Sequence, residues 1–137
     1  MVRELMHDPL FLGQKSVAAT KDDMDVAQDL LDTLKAHEDE CVGMAANMIG
    51  VHKCIIVYHI DGAYSLMFNP EIIESMMAYD AEESCLSLLG GPRPCKRYNA
   101  IKVRYQNTSF GVCEGVFTGF EAQIIQHEVD HCNGVLI

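Results

Sequence analysis

The sequence contains no apolar stretch long enough to span a bilayer, no internal repeat, no low-complexity tract and no linker. Its start, MVRELMHDPL, lacks the charged-then-apolar run of a signal peptide. The expectation is a soluble, cytoplasmic protein without membrane contact. Positive charge is also scarce, with 10 Lys+Arg against 20 Asp+Glu and a formal net charge of -10. A chain this acidic has no net attraction to a phosphate backbone, so direct nucleic-acid binding is not expected. C-x-x-C is missing too, although six cysteines occur, at positions 41, 54, 85, 95, 113 and 132. In a reducing compartment most of these are expected to be buried small hydrophobes, and a functional one has to be argued individually.

What is present is core-forming material. The 137 residues are 49% hydrophobic and 22% charged, which fits one α+β domain over residues 1–137. Met24, Ala27, Leu30, Leu31 and Leu34 recur at helical spacing and predict an N-terminal amphipathic helix between Asp22 and Ala36, with Thr20 or Asp22 as its cap. Val42 to Gly50 is all small or apolar apart from Asn47 and reads as a buried turn. Ile55 to Ile60 and Leu66 to Phe68 read as strands. Ala100 to Tyr105 and Phe110 to Phe117 read as a hairpin turned by Asn107-Thr108-Ser109. Gly90, Gly91, Pro92 and Pro94 suggest a loop between sheet elements. Charge is uneven: residues 1–40 hold ten acids and four bases, while Gly91 to Cys113 has no acid and five bases, Arg93, Lys96, Arg97, Lys102 and Arg104. That stretch is expected to be a solvated strand face with a basic loop, or a rim that meets an anionic part of a substrate.

The most informative segment is the last. Thr118-x-x-Glu121 has the capping-box pattern and Asn133-Gly134 supplies a stop, which predicts a helix from Gly119 to Cys132. At ~100° per residue, His127 and His131 lie within ~40° of each other, on the face that carries Phe120 and Ile124. Ala122, Ile125 and Val129 form a second apolar stripe, so the histidines point inward. Paired buried imidazoles are costly unless something binds them, and a divalent cation does. With Glu128 they complete H-E-x-x-H, two ligands and a carboxylate that can serve a water.

A catalytic site of this kind uses a third protein ligand. The residues after His131 contain neither Glu nor His, so the ordinary metalloprotease pattern is not met and the third ligand is expected upstream. Cys132 points ~100° away from His131. Cys85 and Cys41 both remain candidates on this reasoning.

Glu83-Ser-Cys-Leu-Ser87 and Gln126-His-Glu-Val-Asp-His131 with Gly134 resemble the second and third motifs of peptide deformylases, E-G-C-x-S and Q-H-E-x-D-H-x-x-G. Cys41 to Met48 resembles their first motif, G-x-G-x-A-A-x-Q, and His7-Asp-Pro-Leu10 their start. The resemblance spans nearly the whole chain. It implies a fold of small antiparallel or mixed sheets packed around a central C-terminal HExxH helix. It implies that Cys85, His127 and His131 bind one divalent metal ion, Fe(II) in the cell with Zn or Ni as substitutes. Glu128 would be the general base, with the backbone at Leu86 in the catalytic site. Val42, Gly43, Met48, Ser84, Phe120 and Ile124 would border the substrate. The implied reaction removes the formyl group from N-formylmethionyl peptides, including ribosome-associated nascent chains.

Three positions depart from the family pattern. Met48 stands where a Gln amide helps hold the developing oxyanion, and a thioether cannot donate a hydrogen bond. Ser84 replaces the glycine before the cysteine, and Cys41 the first glycine of its motif. The ligands and Glu128 are intact. The expected function is therefore a deformylase of reduced or altered activity, and the alternative is a non-catalytic metal-binding relative that binds a peptide or protein partner.

Overall fold

The computed structural model describes residues 1–137. A short helix α1, Pro9–Leu12, is capped by Asp8, whose carboxylate accepts the Leu10 N–H at 3.0 Å. The amphipathic helix α2 runs Met24–Ala36 and is preceded by a 3-10 turn, Lys21–Asp23. The capping box is made at Thr20: its hydroxyl accepts from the Asp22 N–H, and Asp23 accepts the Thr20 N–H at 2.8 Å. The predicted buried turn resolves into β1, Gly43–Ala45, and a 3-10 turn over Ala46–Ile49, closed by Gly50 in the left-handed region at φ 84°.

Strands β2 (Ile55–Ile60), β3 (Ala63–Cys85), β4 (Leu88–Gln106) and β5 (Val112–Thr118) complete one antiparallel sheet in the order β1-β2-β3-β4-β5. The last helix, α3, spans Gly119–Cys132 as predicted. Strand β2 shows why its sequence is a continuous apolar run. Ile55 and Val57 pack toward Leu30 and Leu34 of α2, while Ile56 and Tyr58 pack toward Ala122, Ile125 and Val129 of α3. Both faces are covered, so both sets of side chains are buried, each contributing about 1.5–3 kcal/mol for a fully buried aliphatic residue.

The structure corrects three local expectations. The strand expected over Leu66 to Phe68 does not stop there but runs on through Asn69-Pro70. Asn69 takes a left-handed turn at φ 52° with its side chain bonded to Ala19 and Gln106, the register slips between Phe68 and Glu71, and β3 continues. The Gly-Gly-Pro-x-Pro segment lies inside β4 rather than in a loop. The first half of β4 pairs only with β3, so Pro92 and Pro94 lie on an edge of the sheet, where proline is tolerated. The third is at Thr118, which precedes α3 but caps it with no side-chain hydrogen bond; Glu121, the other half of the expected box, instead accepts the Tyr58 hydroxyl at 2.9 Å.

Helix α3 is tied to β4 at its middle and meets the N-terminal segment just beyond its end. The Gln126 amide donates to the Tyr98 carbonyl at 2.7 Å and accepts the Tyr98 N–H at 2.8 Å. After the helix, Gly134 turns at φ 75°, and a Cβ there would meet the Gly13 carbonyl oxygen at 2.6 Å. No helix is long and apolar enough to cross a membrane.

Candidate metal centre

Three elements bring the site together: the end of β3, the β1 segment and α3. His127 and His131, one turn apart on α3, direct both Nε2 atoms at one region, 3.1 Å from each other. Cys85, the last residue of β3, completes the group. Its Sγ and one ring nitrogen from each histidine all lie within 4.8 Å of one another. Cys41 is not in this group; its thiol donates to the Gly43 carbonyl at 2.8 Å, and burial pushes it up to about 12. Of the two candidate thiols, the fold therefore brings Cys85 to the histidines.

The donor set tests well against a divalent ion. One sulfur and two imidazole nitrogens match sites that take Zn or Fe(II), with three protein donors and an open fourth position. Glu128 adds a second observation, because it is only 4% exposed and its Oε1 has no hydrogen-bond partner. Burial raises its carboxyl to about 7.

Orientation of the ligands comes from a network that sequence reasoning missed. His127 Nδ1 donates to Glu83 Oε1 at 2.8 Å, which turns Nε2 toward His131 and Cys85. Glu83 also accepts from Arg97, at 2.7 Å through the terminal nitrogen, and from the Gln123 amide at 2.8 Å. Arg97 continues to Asp130 Oδ2 at 2.8 Å. Burial alone would raise the Glu83 carboxyl. The hydrogen bonds from His127, Arg97 and Gln123, with the Arg97 charge, hold it down at about 2. Burial opposes charge on His127 as well, but its bonds to Cys85 and Glu83 and the Glu128 charge raise it to about 10. Burial, together with the His127 charge, drives His131 down to about 3. The signals available in the sequence were Glu83 beside Cys85 and Asp130 beside His131, two acids with no ligand role of their own.

Arg97 departs from both readings of the basic stretch, the solvated strand face and the substrate-facing rim. It is 4% exposed and committed to Glu83 and Asp130. Arg93 donates to the Leu89 carbonyl, Arg104 lies 3.5 Å from Glu114, and no Lys or Arg lines the cleft at the site.

That cleft has a volume of about 470 Å³. Its walls include Val42, Gly43 and Met48 from the β1 side, and Ser84, Cys85 and Leu86 from the end of β3 and the turn beyond it. The α3 side supplies Phe120, Ile124, His127 and Glu128, while His131 lies behind them, fully buried. Phe120 departs from the expected buried stripe, since its ring is 59% exposed at the mouth. A Cβ at Gly43 would come within 2.9 Å of Ile124 Cγ2 and 3.0 Å of Glu128 Oε2, so only glycine leaves the carboxylate in place. Asn47, one position before Met48, does not replace the missing amide. Its Nδ2 donates to the His131 carbonyl at 3.0 Å, away from the cleft. The cysteines are all free thiols, with Cys132 buried and the other five half-buried, a more open distribution than composition suggests.

The model of the polypeptide deformylase family matches residues 2–137. The chain belongs to the peptide deformylase family. It is 51% identical over 137 residues, all of both chains, to a peptide deformylase of Clostridium beijerinckii. It is 40% identical to peptide deformylase 1 of Clostridium perfringens over 113 residues, covering 81% of this chain and 76% of that one. Among solved structures, the peptide deformylase of Thermotoga maritima superposes with a TM-score of 0.88 at 30% identity, covering 99% of this chain and 95% of that one. A Met-Ala-Ser-bound class I type b peptide deformylase from Acinetobacter baumannii superposes at 0.87 with 27% identity, covering 99% and 96%. Peptide deformylases are metal-dependent amidohydrolases that act on N-formylmethionyl peptides of nascent proteins, and these relatives favour the hydrolase over the non-catalytic reading.

Proposed function

We propose that this chain, as one domain over residues 1–137, hydrolyses the formyl group from N-formylmethionyl peptides in the cytoplasm, with nascent chains at the ribosome among its substrates. The observation that carries the residue assignment is the convergence of Cys85, His127 and His131 donor atoms within 4.8 Å, beside an unpartnered, buried Glu128 carboxylate.

Cys85, His127 and His131 hold one divalent ion, Fe(II) in the cell, with Zn or Ni able to take its place. Once bound there, such an ion would supply Lewis-acid polarisation of a carbonyl oxygen and a more acidic water. Glu128 takes the proton from the attacking water and passes it to the leaving amine, and its raised affinity for protons suits both transfers. The Leu86 N–H, in the turn directly after Cys85, donates to the developing oxyanion. Gly43 lets the peptide backbone approach, and Val42, Phe120 and Ile124 receive the methionine side chain. Met48 contributes bulk and no donor, and Ser84 presents a hydroxyl on the peptide path, so turnover is slower than with the amide in place.

The test is formate release from formyl-Met-Ala-Ser by protein loaded anaerobically with one Fe(II) per chain. Release from the formyl peptide, and none from its acetyl counterpart, is expected. Absence of release from both the parent and Met48→Gln, with metal bound, would overturn the proposal.

A further inference from the structure

The buried end of the cleft is where the reacting bond must sit, since Cys85, His127 and Glu128 lie there. Residues that follow the formylated methionine then have to leave through the mouth. That mouth is acidic. Glu38, Asp39 and Glu40, the run just beyond α2, line it together with Glu82 on β3. All four are exposed, and none lies within 4.0 Å of a Lys, Arg or His nitrogen. Glu38 is held in position by a hydrogen bond from the Tyr64 hydroxyl. Glu83, the remaining acid of the wall besides Glu128, is already matched by Arg97. Deeper in the same cleft, the unpartnered Glu128 carboxylate faces inward.

We infer that Glu38, Asp39, Glu40 and Glu82 select substrates, favouring formyl-methionyl peptides with Lys or Arg at the second and third positions and disfavouring those with Asp or Glu. This deepens the deformylase reading and rests on it. Low-dielectric walls bearing one sign of charge focus the field along the cleft, so a cationic chain is attracted before it docks and an acidic one is repelled. The pairs formed at the rim are solvent-exposed, so each is weak and screened by salt. Two such pairs correspond to about a tenfold preference at low ionic strength.

The experiment compares formyl-Met-Lys-Lys, formyl-Met-Ala-Ser and formyl-Met-Glu-Glu by kcat/KM with the Fe(II)-loaded protein, in low salt and at about 1 M, where the screening length falls to ~3 Å. In parallel, calorimetry measures binding of Met-Lys-Lys and Met-Glu-Glu, which needs no turnover. The expected order is Lys above neutral above Glu by about tenfold from end to end, compressed by salt. It should collapse in the combined variant Glu38→Gln, Asp39→Asn, Glu40→Gln, Glu82→Gln. Equal values for the peptides, or an order that survives in that variant, would overturn the inference. Ranked binding without formate release from any peptide would support the rim and overturn the hydrolase instead.

Discussion

The thioether sulfur of Met48 lies 4.0 Å from the thiol of Cys85, in the wall of the cleft, and also accepts the Ala45 N–H at 3.5 Å. Met48 is 1% exposed, so it fills the place of an amide without an amide's hydrogen atoms.

Restoring that donor is expected to accelerate the reaction. One oxyanion donor is worth about 10²–10³ in kcat. Met48→Gln should therefore raise kcat for formyl-Met-Ala-Ser by at least tenfold, with a smaller change in KM, as measured by formate release at one metal per chain. An unchanged kcat would show that another group already supplies the donor.

Glu83 is the residue through which the second motif orients the metal site. Glu83→Gln keeps the shape but removes the charge that His127 and Arg97 share. Metal affinity, measured by competition with a chromogenic chelator, should fall by about 10–100-fold. Stability gives an independent readout. The Glu83 carboxyl is held at about 2 in the fold against an ordinary 4.5, a depressed value, so its contribution is present above about 4.5 and lost as pH falls toward about 2. At 1.36 kcal/mol per pH unit this amounts to ~3 kcal/mol. Urea unfolding of the metal-free proteins should show Glu83→Gln less stable by a few kcal/mol at neutral pH, with the gap closing below about pH 4.

Gly43 offers a steric test. Gly43→Ala would set a methyl 2.9 Å from Ile124 Cγ2 and 3.0 Å from Glu128 Oε2. Overpacking of this kind costs about 1–3 kcal/mol. Displacement of the base should lower kcat more than tenfold while metal content holds at one per chain. Urea midpoints, kcat and metal analysis separate the two effects.

The parts of the site that local pattern reveals are those set by local geometry. His127 and His131 are one helical turn apart, and the bounds Gly119–Cys132 followed from the stop at Asn133-Gly134 and the position of Thr118, although Thr118 makes no capping bond. Cys85 could not be separated from Cys41 by spacing, because what decides between them is where the end of β3 meets α3. Arg97 was legible only as one base among five, since its partners Glu83 and Asp130 lie 14 and 33 residues away. The long β3–β4 hairpin was hidden for a different reason. Its prolines and Asn69 read as chain breaks, yet edge position and a register slip absorb them. Glu38, Asp39 and Glu40 entered the sequence reading only among the ten acids of residues 1–40, and it is the fold that sets them at the mouth of the cleft.

Glu128 is the group on which the account rests most heavily. Its proton affinity, raised by burial to about 7, means the base is ionised above that value, so kcat/KM should rise with pH along an acid limb. A divalent cation beside it favours the ionised form and moves that limb below about 7.

The most direct measurement is formate release from formyl-Met-Ala-Ser by Glu128→Ala beside the parent, each analysed for metal. The account predicts one ion per chain in both proteins and a loss of about 10²–10⁴ in kcat in the variant. Release that survives Glu128→Ala unchanged, with the ion still bound, would contradict it.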